Sequence, residues 1–451
     1  MPSVAFHTLG CKVNHYETEA IWQLFKKSGY DRAEFERHAD VYVINTCTVT
    51  NTGDQKSRQT IRRAIRNNPD AVICVTGCYA QTSPAEVMSI PGVDIVVGTQ
   101  DRNRLLGFVD QYRKDREPIN GVSDIMKAKI YEELDVPEFT DRTRASLKIQ
   151  EGCNNFCTFC VIPWARGLLR SREPENVLKQ AQQLVDAGYK EIVLTGIHTA
   201  GYGEDMDNYN FAQLLRDLEK NVRGLKRLRI SSIEASQITD EVIDVVGKSK
   251  ILARHLHIPL QAGSDSVLER MHRKYKTGFF AEKIARLREA LPDFALTSDV
   301  IVGFPGETDE EFQETYDFIR DLHFSELHVF PYSQRTGTPA AGMPDQVPDE
   351  VKHDRVNRLI ELSTKLSADY AEKYLNQVLE VIPEEPLNHR EPDGYFVGFT
   401  DNYLKVKFKY PSKDIVGKLV RVKLIKTGYP INEGVYVRIA ENEPSEAMGL
   451  S

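Results

Sequence analysis

The sequence predicts an α/β protein in three parts: an N-terminal parallel-sheet domain, a partial (β/α)6 barrel and a small C-terminal antiparallel β-barrel. Three observations carry this prediction. Short apolar runs alternate with amphipathic helical stretches from residue 1 to about 110, and a second such series runs from 145 to 331. Alternation of that kind implies parallel strands with helices packed on them. From about 370 the pattern becomes apolar–polar alternation around Gly, Pro and Asn turns, as antiparallel barrels or sandwiches require.

In the first part, "VAFHTL" (4–9) leads into the helical stretch "HYETEAIWQLFKKSG" (15–29), and "DVYVINT" (40–46) into "GDQKSRQTIRRAIRNN" (53–68). "AVICVTG" (71–77) and "DIVVG" (94–98) read as further buried strands, giving a domain over 1–114. The next stretch is polar with little apolar periodicity, so 115–140 is expected to be a linker. A barrel follows over 141–370, with strands near 145–150, 191–195, 227–233, 255–260, 295–303 and 326–331. Helices such as 174–188 and 309–322 separate them. The last domain, 371–440, holds "GYFVGFTDNYLKVKFKY" and "GKLVRVKLIKTGYPINEGVYVRI". In both parallel arrangements, ligands sit where strands end and loops begin.

At 451 residues, 41% hydrophobic and 27% charged, the composition is that of a soluble globular protein. No apolar run approaches a membrane span. "MPSVAFHTLGC" lacks the layout of a signal peptide, so the expected compartment is the cytoplasm, where thiols stay reduced. Seven cysteines, an odd number, fit a disulfide framework poorly. The net charge of −8 speaks against nucleic acid as a partner, but local charge is more informative.

"EGCNNFCTFCVIPWARG" (151–167) places Cys153, Cys157 and Cys160 just past the first barrel strand, spaced C-x3-C-x2-C. Structural zinc takes four ligands, usually as two separated pairs, and His198 is the one other candidate donor. Iron–sulfur ligation fits three thiolates in a loop better, and three on a four-iron cluster leave one iron open. This spacing resembles the radical S-adenosylmethionine (SAM) superfamily. That resemblance implies SAM chelating the open iron and being cleaved to a 5′-deoxyadenosyl radical. It implies cofactor contacts from Phe159, before the last cysteine, and from Thr195 and Gly196 in "LTGIHTAGYG". Gln261 and Ser264 in "IPLQAGSDSVLERMHRKY" join them by the same resemblance. "VIVGFPGETDEEF" (300–312) resembles the superfamily's Gly-x-Ile-x-Gly segment, with Asp299 at the first glycine and Gly303 at the second. Thr308 and Glu311 there read as a helix capping box.

Three further cysteines, Cys11, Cys47 and Cys78, directly follow predicted strands and are expected on one rim of the sheet. Cys74 lies inside an apolar run and reads as a buried small hydrophobe. "TLGCKVNHYETE", "NTCTVT" and "TGCYAQ" resemble the radical SAM methylthiotransferase family, and the resemblance covers nearly the whole chain, including that family's C-terminal TRAM domain. It implies a second 4Fe–4S cluster on Cys11, Cys47 and Cys78 serving sulfur transfer. One SAM would donate the methyl group and another the radical. An electron donor such as flavodoxin and a sulfur source are implied as partners. Asn14 and Glu17 match the motif, and Asn-x-x-Glu reads as a capping box.

Within 399–426, eight basic residues stand against two acids, interleaved with Tyr403, Phe408 and Tyr410. Lys405, Lys407, Lys409, Arg421 and Lys423 are the expected RNA contacts. Arg58, Arg62 and Arg66 add a second basic face on a helix, and together the two favour RNA. "TLGCKVN" with "CTFCVIPWARG" looks most like the threonylcarbamoyladenosine branch of the family. That branch methylthiolates C2 of N6-threonylcarbamoyladenosine beside the tRNA anticodon, in a loop whose bases can be splayed out. Arg166, Arg170 and Arg172 are candidates to hold the carboxylate of the modification. The alternatives are an isopentenyladenosine tRNA methylthiotransferase and a non-catalytic Fe–S RNA-binding protein. Formation of 5′-deoxyadenosine from SAM separates catalyst from binder.

Overall fold

Strands Val41–Thr46 and Val72–Gly77 are buried along their whole length, which is why they read as unbroken apolar runs. They sit at the centre of a six-stranded parallel sheet in the order 31–33, 3–8, 41–46, 72–77, 95–96, 119–120. The computed structural model describes residues 1–139, 143–386 and 394–440. Helix Lys12–Lys27 starts three residues before the stretch expected from the sequence and presents Val13, Tyr16, Ala20, Ile21 and Phe25 to the core. Helix Asn51–Asn67 begins with Thr50 accepting a hydrogen bond from the Gly53 amide.

The segment expected to link the first two domains is packed rather than free. Helix Leu105–Asp115 runs into it, and Ile119–Asn120 supplies the sixth strand. Leu134, Val136 and Phe139 are buried in the barrel core. A few well-spaced apolar side chains anchor an otherwise polar chain, a pattern too sparse for periodicity to register. The expected junction at 140–141 lies outside the described residues.

Six parallel strands form the partial barrel: Ala145–Glu151, Glu191–Gly196, Arg227–Ile230, His255–His257, Ala295–Val302 and Glu326–Pro331. In register, His257 lies opposite Thr297, and Asp299 opposite His328. The capping box at Thr308 and Glu311 forms as its sequence predicts. Tyr16 and Ala20 of the N-terminal helix belong to the same apolar cluster as the barrel strands, so the first two domains share a core.

The C-terminal strands close into a five-stranded barrel. Its pairings are antiparallel except that between Lys405–Lys409 and Asn432–Ile439. Val406 and Phe408 point inward, while Lys405, Lys407 and Lys409 alternate outward. Arg227, Arg229 and Arg144 surround the buried Glu191 at 3.2, 2.8 and 3.6 Å. Arg229 also donates to the Thr400 and Asp401 carbonyls, both at 3.0 Å, docking this domain on the (β/α) barrel. Burial alone would raise the Glu191 carboxyl; the three guanidiniums outweigh it and hold it at about 2.

Candidate active site

Glu151 ends the first barrel strand, and Gly152, with φ of 74°, turns the chain into the cysteine loop. A Cβ there would run into the Leu168 carbonyl, so only glycine makes this turn. The Cys153 amide donates to the Gly167 carbonyl at 3.1 Å and that of Thr158 to the Met271 carbonyl at 3.1 Å, pinning both halves of the loop. Burial, with the neighbouring sulfurs, pushes the Cys153 thiol up to about 11 and Cys160 to about 12. Thiols so placed lose their protons only to a bound cation or cluster. Arg273 Nη1 already donates to Cys157 Sγ at 3.3 Å and is ion-paired with Glu234. Three sulfurs, one counter-charge and an open side fit an iron–sulfur cluster with one free iron.

The other triad comes from three strand ends. Gly10, with φ of 100°, precedes Cys11, and a Cβ on it would lie 2.9 Å from Cys47 Cβ. The missing side chain is what lets the two strand ends approach. Burial, and the charges of Cys11 and Cys47, push the Cys78 thiol up to about 12. Arg166 Nε donates to Cys78 Sγ at 3.2 Å. The structure thus brings Cys11, Cys47 and Cys78 together on one rim. Cys74 is fully buried in the apolar cluster of the sheet with Val43 and Ile95.

Two expectations fail here for one reason. Asn14 and Glu17 make no helix cap: the helix has no side-chain cap bond. Asn14 Nδ2 instead donates to the Leu9 and Thr46 carbonyls at 2.7 and 3.0 Å, tying together the chain before Cys11 and Cys47. Glu17 is buried against Arg102, Lys148 and Arg166 at 3.0, 2.7 and 2.6 Å. Those contacts hold its carboxyl well below the usual range despite burial, which acts the other way. The arginines expected to meet a substrate carboxylate are consumed in the same interior. Arg166 is bound as above, Arg170 donates to the Leu168 and Arg166 carbonyls, and Arg172 pairs with Glu133 at 2.8 Å. None of them borders the cavity between the domains. Burying that many charges together demands pairing, and sequence spacing reveals no partners 130 residues away.

That cavity measures about 930 Å³ and is bordered by Cys11 and by all three loop cysteines. Phe159, Thr195, Gly196 and Gln261 line it. Phe159 also packs edge-on against Phe304, with centroids 6.4 Å apart. Ser264 and Gly303 do not line it. Ser264 is buried at the start of helix Asp265–Arg270, its Oγ 3.0 Å from Ser266 Oγ, and the Gly303 amide donates to Glu307. His198 is buried and does not border the cavity.

Of the expected RNA contacts, Lys407 bridges to Glu433 at 2.7 Å and Arg421 to Glu380 at 3.1 Å, both at the surface. Lys409 and Lys423 are exposed and Lys405 half-buried. Arg62 and Arg66 are exposed, whereas Arg58 is engaged by Tyr79 and Glu86. Tyr403 brings the C-terminal domain into the cavity, stacked on His255 with centroids 4.2 Å apart. Sequence reading missed Arg273, His257 and His328. The signal for the histidines was polar residues two apart in short strands, and reading it requires the register.

The Radical SAM superfamily model matches residues 147–319, and the model described as Uncharacterized protein family UPF0004 matches 3–98. Over 451 residues the chain is 71% identical to threonylcarbamoyladenosine tRNA methylthiotransferase MtaB of Bacillus subtilis, covering 100% of both. The chain belongs to the radical SAM tRNA methylthiotransferase family. It is 40% identical to MtaB of Aquifex aeolicus, covering 93% of this chain and 99% of that one. A tRNA-2-methylthio-N(6)-dimethylallyladenosine synthase of Clostridium botulinum is 35% identical, covering 93% of each. Among solved structures, the radical SAM methyltransferase TsrM of Kitasatospora setae shares the fold at TM-score 0.57 and 15% identity, over 75% of this chain and 77% of that one. The family resemblance carried by the cysteine motifs is borne out, and among the described residues no helix is long and apolar enough to cross a membrane.

Proposed function

We propose that this chain is the tRNA methylthiotransferase that installs a methylthio group at C2 of N6-threonylcarbamoyladenosine beside the anticodon. The observation that carries the reading is one cavity bordered by cysteines of both triads, in a chain 71% identical to MtaB. Cys153, Cys157 and Cys160 would hold one 4Fe–4S cluster, and Cys11, Cys47 and Cys78 a second. When bound, these clusters and SAM supply the radical and the sulfur chemistry. The chain itself binds and orients. Phe159, Thr195, Gly196 and Gln261 hold SAM against the loop. Arg273 and Arg166 each donate a hydrogen bond to one cysteine sulfur, Cys157 and Cys78, and so orient it. Tyr403, stacked on His255, closes one end of the cavity against water.

The anticodon loop approaches over the outward face of the C-terminal barrel, where Lys405, Lys407, Lys409, Arg421 and Lys423 offer contacts to phosphates. An electron donor such as flavodoxin and a sulfur source complete the cycle. All seven cysteines are free, which suits work in the cytoplasm. The test is turnover by anaerobically reconstituted protein on tRNA carrying threonylcarbamoyladenosine, isopentenyladenosine or plain adenosine, with mass spectrometry of the nucleosides. Methylthiolation of the threonylcarbamoyl substrate with almost none on the others is the expected result. Equal activity on the isopentenylated tRNA would overturn the substrate assignment.

A further inference from the structure

Adenosine C2–H is the same atom whatever N6 carries, so choosing among tRNAs requires a site for the N6 substituent. Threonylcarbamoyl brings a carboxylate, a hydroxyl and a urea-like group; isopentenyl brings only apolar surface. The arginines near the cysteine loop are committed elsewhere, so the reader must be another polar group on the cavity wall.

Three adjacent strands provide one. The register sets His257 beside Thr297, and Asp299 beside His328. Residues two apart on a strand share a face, so Thr297 and Asp299 lie on one side together with those partners. His257, Thr297, Asp299 and His328 all line the cavity that the cysteines border. Asp299 accepts from His257 Nε2 and from His328 Nδ1, each at 3.2 Å. The second nitrogen of His257 lies 3.0 Å from Thr297 Oγ1, which is itself 2.9 Å from His255 Nε2. One polar atom from each of His257, Asp299 and His328 falls within 4.8 Å of the other two. The rings are therefore held in place before any ligand arrives. Phe330, two residues beyond His328, and Val49 are exposed apolar side chains that also border this cavity, suited to an aromatic base.

We propose that His257, Asp299 and His328 form the subsite that binds the threonylcarbamoyl group, an inference that rests on the substrate reading above. With Nδ1–H turned onto Asp299, the charged form of His328 also carries Nε2–H, which it can donate to the substituent's carboxylate. The hydrogen bond it gives Asp299 raises the His328 pKa, which favours that charged form. Lys12, on the same cavity wall, opposes that charge more weakly than Asp299 supports it, and brings a positive charge of its own to the side a carboxylate would enter. The Asp299 carboxylate remains able to accept from the substituent's hydroxyl or N–H. An isopentenyl group in this place would strip water from a carboxylate and two imidazoles and offer them nothing.

The test is the affinity of reconstituted full-length enzyme for anticodon stem–loops bearing threonylcarbamoyladenosine, isopentenyladenosine or adenosine, read by fluorescence anisotropy. Each variant is scored by its ratio of affinities, which does not depend on the fraction of protein that is active. Wild type should prefer the threonylcarbamoyl loop. His328→Leu should cut that preference roughly tenfold or more, the usual cost of losing a hydrogen bond to a charged group. Asp299→Asn should reduce it too, and His328→Gln, which keeps a donor, should recover part. A wild type without the preference overturns the substrate reading and this subsite with it. Wild-type preference left intact in both His328→Leu and Asp299→Asn overturns this subsite alone.

Discussion

Cys153, Cys157 and Cys160 come from one loop of eight residues, whereas Cys11, Cys47 and Cys78 are gathered from three strand ends of a parallel sheet. The loop triad depends on a glycine turn and a few backbone hydrogen bonds close by. The sheet triad depends on the whole N-terminal domain and on a barrel residue, Arg166, reaching across to Cys78. Local geometry should therefore survive perturbations that scatter the dispersed set.

The largest effect expected is on cofactor content and activity. Reconstituted protein should carry about eight irons per chain if both triads hold four-iron clusters. Alanine at Cys153, Cys157 and Cys160 together should halve the iron and abolish 5′-deoxyadenosine formation. Alanine at Cys11, Cys47 and Cys78 should also halve the iron, yet leave some SAM cleavage. Stoichiometric zinc without iron in the wild type would break the comparison outright.

Next comes the buried charge that joins the domains. Glu17→Ala removes one of the two buried carboxylates that Arg102, Lys148 and Arg166 share, leaving them Glu151 and an excess of buried positive charge, which should cost about 3–5 kcal/mol in denaturant unfolding. Iron held by the sheet triad should be lost before that of the loop triad. Simultaneous loss from both would show that the two are not separately supported.

Acid offers a smaller probe at the other domain boundary. The Glu191 carboxyl is held at about 2, below its ordinary value of 4.5, so the stability it contributes is complete above pH 4.5 and is lost as the pH falls toward 2. Fully realised, that contribution is about 3 kcal/mol. Unfolding free energy measured down the acid limb should fall less steeply in Glu191→Gln than in wild type. Smallest is the bystander: Cys74→Ser should keep both clusters and cost roughly 1–3 kcal/mol for a buried hydroxyl. Loss of half the iron in this variant would move Cys74 into the sheet triad.

Much of this was legible beforehand because it rests on short-range chemistry. The strands bearing Cys11, Cys47 and Cys78 lie within a residue or two of their predicted bounds, since runs such as "VINT" and "VICVTG" can be little else. The polar segment after residue 115 was misread because its few buried anchors follow no period. Asn14 and Glu17 were misread because a capping motif and a long-range ion pair use the same residue types.

By itself the sequence determined the three-part α/β order, the close spacing of the loop cysteines, and the apolar run that buries Cys74. Each follows from neighbours within a few residues along the chain. Only the tertiary structure decided that Arg166 meets Cys78 and that Asp299 stands between His257 and His328. Those pairings depend on strand register and on how one domain seats on another. Registers and seatings are set by burial summed over hundreds of side chains, which no short stretch of sequence encodes.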